Sequence, residues 1–278
     1  MMNKRIVCVD SDGCVFDSME IKHKECFAPA FIETFALQPI AEVASDVWAR
    51  VNLYSRTRGC NRFIALRYAV KELRDAGRLL DNSWYDRIVT ALETWLDKEE
   101  QPSNTALEAY LTDREEGDIS PLQKCLEWSY AVNERIAGHP SVPPFQNAHI
   151  ALKTMADNAD VVVVSQTPAH TLEEEWQKFG LDNLVVKING QESGSKSAQI
   201  RELIEAGAGP EDVLMVGDAP GDAKAAEATG VWFFPITPGI EEQSWERLNS
   251  EGLPRFLAGE YNSDYQEELL EQFNQVLQ

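Results

Sequence analysis

The sequence is short of several things, and each shortage excludes a class of protein. It has only five cysteines in 278 residues (Cys8, Cys14, Cys26, Cys60, Cys125), an odd number with no CxxC pair. A disulfide framework and a cysteine-held zinc site are therefore not expected, and a reducing cytoplasm is the simplest setting. No apolar run approaches the roughly 20 residues of a membrane span. The first apolar run, Ile6-Val7-Cys8-Val9, is too short for a signal-peptide core and is closed by Asp10. Basic residues are few, 25 against 46 acids, for a net charge of −21. Nucleic acid and anionic membrane are polyanions, so neither is expected as a partner. The four histidines (His23, His139, His149, His170) show no metal-ligand spacing. Biased composition is also missing: 44% hydrophobic and 26% charged residues suit a globular chain of one large or two modest domains.

What is present is a βα series split by a long helical stretch. Continuous apolar runs, the pattern of strands covered on both faces, occur at residues 5–10 and then only late, at 161–164, 184–188, 213–216 and 231–234. Helical spacing at 171–179, 197–206 and 221–229 separates the late runs. Between residue 18 and about 141, helix-like segments follow one another near 20–36, 43–54, 62–76, 83–98, 103–111 and 121–137. The prolines of His139-Pro140-Ser141-Val142-Pro143-Pro144 mark the return to the βα series. The pattern predicts an α/β fold, a three-layer core with a mainly parallel sheet, formed by residues 1–17 and 142–278. An all-helical domain, 18–141, is inserted into it. Trp48, Trp84, Trp95 and Trp128 sit at helical positions there and read as core. A capped amphipathic helix is expected from Asn262, with Leu269, Phe273, Val276 and Leu277 on one face.

In an open parallel α/β sheet, ligands sit at the carboxyl ends of the strands. The first run ends in Asp10-Ser11-Asp12-Gly13. Two carboxylates two residues apart on extended chain share a side, about 6–7 Å apart, and can divide the work of nucleophile and proton donor. The second ends in Ser165-Gln166-Thr167-Pro168, a hydroxyl and free N–H groups at a helix start, which suits an anion. After the third, Lys196 stands among glycines and serines and can hold a phosphate as a point charge. The fourth ends in Gly217-Asp218-Ala219-Pro220-Gly221-Asp222, where one helical turn would bring Asp218 and Asp222 to one face, a pairing that suits a hard cation. Taken singly, these features read as turn residues, helix caps and solvated charge. Together they place four acids, a hydroxyl and a lysine at one sheet edge. Four converging carboxylates repel one another unless a cation is bound, and metal plus lysine leaves a phosphate as the anion the site accepts.

This set of motifs, in this order, resembles the haloacid dehalogenase superfamily over residues 1–18 and roughly 142–240, with the helical insert similar to its type 1 cap. The resemblance implies a Rossmann-like core and a mobile cap that closes over the substrate. It implies that Asp10 is the nucleophile that becomes an aspartyl-phosphate and that Asp12 is the general acid and base. Ser165, with Gln166, and Lys196 would hold the phosphoryl group, Lys187 being the alternative lysine. Mg2+ would be bound by Asp10, Asp218, the main-chain carbonyl of Asp12 and, in support, Asp222. An acid two residues after the nucleophile is the mark of the phosphatase and phosphomutase branches. The expected activity is Mg2+-dependent hydrolysis of a small anionic phosphorylated metabolite. A phosphomutase and a non-catalytic ligand-binding relative are the alternatives.

One local charge runs against the acidic whole. Residues 50–78 carry eight basic residues and two acids. Arg67, Lys71, Arg74 and Arg78 have helical spacing and read as a solvated face. Arg56, Arg58 and Arg62 cluster around Gly59-Cys60-Asn61 and are candidates to meet an anionic part of the substrate. A loop that pairs with the acidic segment 93–118 is the other reading of this cluster.

Overall fold

The computed structural model describes residues 5–79, 81–113 and 117–277. The chain divides into two compact units, Met1–Met19 with Ser141–Gln278, and Glu20–Pro140.

The first unit is built on a parallel sheet of five strands: β1 (Ile6–Val9), β2 (Asp160–Val164), β3 (Lys187–Asn189), β4 (Val213–Gly217) and β5 (Trp232–Pro235), in the order β3-β2-β1-β4-β5. β1 is central, with Cys8 opposite both Val162 of β2 and Met215 of β4. Successive side chains of a strand point to opposite faces, and apolar residues fill both. Val7, Val9, Val161, Val163, Leu214 and Val216 pack on one side with Leu152, Leu172, Trp176 and Trp245. Cys8, Val162, Val164, Val213 and Met215 pack on the other with Ile200 and Ala226. The chain runs outward through β2 and β3, then returns to lay β4 beside β1. The order therefore reverses between β1 and β4, where such sheets open a crevice at their carboxyl ends.

Two sequence expectations are corrected here. The third apolar run does not form a strand over 184–188. Residues Asp182–Leu184 make a 3-10 turn, β3 begins at Lys187, and Val186 is 64% exposed. This is an edge strand with one neighbour, so it does not need two apolar faces. In the final helix, Ser263–Val276, Asn262 caps the start by accepting from the Tyr265 N–H. Leu269 and Phe273 are buried as expected, but Val276 is exposed, because the helix lies on the core only along its Tyr265-Leu269-Phe273 stripe. The helices Gln146–Asn158, Glu241–Arg247 and Leu253–Ala258 were not marked by the sequence pattern.

The second unit is helical among its described residues, with helices at Ala28–Thr34, Ala41–Leu53, Arg62–Asp75, Asn82–Leu96, Asn104–Thr112 and Ser120–Gly138. Its core is aromatic: Phe31, Trp48, Phe63, Trp95 and Trp128 are fully buried, with Trp48 and Trp128 edge to face at 5.5 Å. Trp84 is half-buried at the margin. Among the described residues, no helix is long and apolar enough to cross a membrane.

Candidate active site

The carboxyl ends of β1 and β4 carry the acids. Asp10 follows β1, and its N–H donates to the Val216 carbonyl at 3.0 Å, which fixes it against β4. The chain stays extended, so Ser11 turns the opposite way and its hydroxyl accepts from Trp176 Nε1 at 3.0 Å in the core. Asp12 points back. Its Oδ1 accepts from Ser18 Oγ at 2.5 Å and its Oδ2 from Thr167 Oγ1 at 2.8 Å. Gly13, at φ 75°, then lets the chain double back, and its N–H donates to the Phe16 carbonyl.

Lys196 is the first residue of the helix Lys196–Glu205, whose start is capped by Ser195. Its ammonium lies 2.8 Å from Asp10 Oδ2 and 2.5 Å from Asp222 Oδ1. Lys187, the alternative lysine, stands at the opposite end of its strand and pairs with Glu202 at 3.2 Å. Asp218 and Asp222 do not share one helical face. Asp218 follows β4 directly, Ala219 is extended, and the helix Pro220–Thr229 starts only afterwards, because Pro220 suits the first helical position. Asp222 reaches back from the first turn, and its Oδ2 accepts from the Ala219 N–H at 3.0 Å. Gly217 makes this possible: a Cβ there would lie 2.4 Å from the Asp222 carboxyl carbon.

Asp10, Asp218 and Asp222 are all buried, and one carboxylate oxygen of each lies within 4.8 Å of the others. Three carboxylates and one ammonium leave a net charge of −2 when all are ionised. Burial pushes the Asp10 carboxyl up to about 6, against the pull of Lys196 and with the push of Asp222. Asp222 is raised for the same first reason. Burial opposes the charge on Lys196, but Asp10 and Asp222 outweigh it and raise the ammonium. An all-oxygen donor set with excess negative charge is the chemistry of a hard divalent cation such as Mg2+, so these residues fit one. The side chain of Asp12 is not in this group; it is held by the two hydroxyls.

Ser165 follows β2, is 2% exposed, and its Oγ accepts from the Thr167 N–H at 3.2 Å. Gln166 spends its side-chain amide on the Gly194 carbonyl at 2.9 Å. Sequence reasoning missed Gln199. It is fully buried one turn along from Lys196, and its Nε2 donates to the carbonyls of Ser165, Gly190 and Gly194 at 3.0–3.2 Å. It thereby ties the loop after β2 to the loop before Lys196. Ser18 and Thr167 were also missed. No motif spacing marks them, and only the fold brings Thr167 to Asp12.

The three candidate arginines lie in the second unit and differ from one another. Arg56 is exposed. Arg58 is buried, with Nη1 on the Leu53 carbonyl at 3.0 Å. Arg62 Nη1 reaches Asn133 Oδ1 at 2.7 Å and Ser129 Oγ at 3.0 Å, and its guanidinium sits 5.4 Å over the Phe27 ring. It has no ion-pair partner among the described residues, and burial lowers its pKa to about 10. Residues 114–116 of the acidic segment 93–118 lie outside the described residues.

The family model for haloacid dehalogenase-like hydrolases matches residues 4–230. The chain belongs to that family and is a hydrolase by class. No curated protein sequence matches it significantly. Among solved structures, it is similar to a provisionally assigned phosphoglycolate phosphatase from Lactobacillus delbrueckii subsp. bulgaricus, at 12% identity and a TM-score of 0.54, covering 92% of this chain and 99% of that one. A predicted phosphoglycolate phosphatase from Haemophilus somnus gives 15% identity and a TM-score of 0.49, over 87% and 92% of the two chains. A provisionally assigned hydrolase of the family from Bacillus subtilis, bound to magnesium, gives 15% and 0.43, over 83% and 86%.

Proposed function

We propose that this hydrolase is a Mg2+-dependent phosphatase that acts on a small phosphorylated metabolite through an aspartyl-phosphate on Asp10. The observation that carries the reading is the Lys196 ammonium between Asp10 and Asp222, inside a buried group of three carboxylates. A lysine so placed offsets the charge of the attacking carboxylate and of the phosphoryl group it attacks.

Asp10 attacks phosphorus, forming a carboxylate oxygen–phosphorus bond as the ester oxygen–phosphorus bond breaks. The departing oxygen takes a proton from the Asp12 carboxyl. Asp12, now a carboxylate, takes a proton from the water that attacks the aspartyl-phosphate, and Asp10 and inorganic phosphate are released. Ser165 and Lys196 hold the transferring oxygens, and the Gln166 amide keeps the adjoining loop in place. Asp10, Asp218 and the Asp12 carbonyl would bind Mg2+, with Asp222 in support; when bound, the ion neutralises charge on the transferring phosphoryl group. Arg62, the cap arginine whose charge lacks an ion-pair partner among the described residues, is assigned the contact to an anionic substituent of the substrate. Arg58 is committed to the Leu53 carbonyl, and Arg56 is exposed.

The test is phosphate release from sugar phosphates, nucleotides and phospho-acids, 2-phosphoglycolate among them, with and without Mg2+ and beside Asp10→Asn. Metal-dependent release that vanishes in the variant is the expected result. Release that persists in Asp10→Asn overturns the covalent route. A folded protein that binds Mg2+ and releases nothing overturns the phosphatase reading.

A further inference from the structure

The carboxyl group of Asp12 is held at both oxygens, by Ser18 at Oδ1 and by Thr167 at Oδ2. Ser18 belongs to the same turn of chain. Thr167 comes from a different loop, and that loop is fixed on every side. The Thr167 N–H donates to Ser165 Oγ at 3.2 Å, and the Thr167 carbonyl accepts from the Gln191 N–H at 3.0 Å. Gly190 lies so close that a Cβ there would stand 2.7 Å from that carbonyl and 2.4 Å from the Ala169 nitrogen. Pro168 further restricts the backbone of the residue before it. A threonine side chain is also stiff about its first torsion. The Thr167 hydroxyl is therefore delivered to one place, and that place is Asp12.

We propose that Thr167 is a positioning residue that sets the orientation of the Asp12 carboxyl for proton delivery to the leaving oxygen. The proposal rests on Asp12 being the general acid, as argued above. The final torsion of an aspartate is broad. A hydrogen bond on one oxygen locates the carboxyl; a second, on the other oxygen, fixes its plane. A protonated carboxyl keeps acceptor capacity, so Thr167 can go on donating to Oδ2 before and after the proton leaves, and the acid proton stays available to the leaving oxygen. The same loop carries Ser165, bonded to the Thr167 N–H. The group that holds the phosphoryl oxygens and the group that orients the acid thus sit on one rigid segment. In the step concerned, the Asp10–phosphorus bond forms, the ester oxygen–phosphorus bond breaks, and the ester oxygen leaves with the Asp12 proton.

Leaving groups provide the test. p-Nitrophenyl phosphate departs as a stable phenolate and needs little proton, whereas an alkyl phosphate needs one. The quantity is kcat/KM at saturating Mg2+ for p-nitrophenyl phosphate and for glycerol phosphate, in the wild type, Thr167→Val and Thr167→Ser. Thr167→Val is expected to lose about ten- to 150-fold on the alkyl ester, the range of a lost hydrogen bond to a charged group. On the aryl ester it is expected to lose less than about three-fold, and Thr167→Ser restores most of the alkyl rate. Equal losses on both esters, or no loss on either, overturn the proposal, since a structural role does not distinguish leaving groups. Should Thr167→Val fail to fold, Thr167→Ala carries the same comparison. A wild type inert to these two esters and to the whole panel above overturns the phosphatase reading itself, a result distinct from an active wild type whose ester ratio the variants leave unchanged.

Discussion

The Lys196 ammonium sits 2.8 Å from Asp10 Oδ2 while bonding Asp222 on its other side. It is the cation that links the end of β1 to the helix after β4. Lys196→Met leaves three buried carboxylates without it. Removing one partner of a buried pair costs on the order of 3–5 kcal/mol. The variant is expected to melt well below the wild type, to recover part of the loss in millimolar Mg2+, and to show no turnover. An unchanged Tm in metal-free buffer would show that the ammonium is not holding these acids.

Gln199 has a different effect. Gln199→Leu keeps the volume and removes the donor shared by the Ser165, Gly190 and Gly194 carbonyls. The Gly194 carbonyl keeps the Gln166 amide and the Gly190 carbonyl keeps the Ser193 N–H, so the cost is that of the lost hydrogen bonds, about 1 kcal/mol. The expected variant is less stable by that amount and binds inorganic phosphate more weakly as a product inhibitor, because the Ser165 loop is no longer tied to the helix that carries Lys196. A normal inhibition constant with normal Tm would remove Gln199 from the account.

The proposed metal binding is expected to depend on pH through Asp10. Burial raises this carboxyl from 3.8 to about 6 in the metal-free protein. The folded chain then holds the proton more tightly than the unfolded chain. The contribution of this group to stability is fully present below 3.8 and is lost as the pH rises through about 6. Mg2+ requires the ionised form, so its affinity grows over the same interval. The Tm gain from Mg2+, measured by calorimetry, is expected to be small near pH 5 and large above pH 7. A gain independent of pH would contradict this.

Arg62 is expected to separate substrates if it meets an anionic part of the ester, as proposed. Arg62→Met breaks no ion pair among the described residues but removes the donor to Ser129 and Asn133 and the contact over Phe27, so a stability loss of about 1–3 kcal/mol is expected beside any effect on binding. On an ester with a second anionic group, KM is expected to rise about ten-fold or more, the size of one charged hydrogen bond. On p-nitrophenyl phosphate, which has no second anion, steady-state kinetics are expected to be unchanged. Equal effects on both esters would reduce Arg62 to a packing residue.

The βα series, the helical insert and the positions of Asp10, Lys196, Asp218 and Asp222 were legible because each is written in local sequence. A continuous apolar run marks a strand covered on two faces, and the polar residues at its end mark the edge where ligands gather. β3 was misplaced for the converse reason: Val185 and Val186 look like strand interior, yet an edge position tolerates an exposed valine and the strand starts later. Asp218 and Asp222 converge, but through an extended Ala219 and a close approach at Gly217 that four-residue spacing does not reveal. Thr167 and Gln199 were invisible because their partners are distant in sequence. A hydrogen bond to Asp12 or to the Ser165 carbonyl leaves no periodicity behind.

Asp222 receives the Ala219 N–H on one oxygen and the Lys196 ammonium on the other, with Gly217 cleared to admit it. One side chain therefore both caps the start of a helix and shares the Lys196 ammonium with Asp10. An engineer seeking a hardier enzyme has no free move here. Asparagine would keep the helix start and discard the charge; alanine would discard both; and a larger neighbour at 217 would evict the carboxyl from its seat. The helix start and the pairing of Lys196 are set at this position by the same atoms.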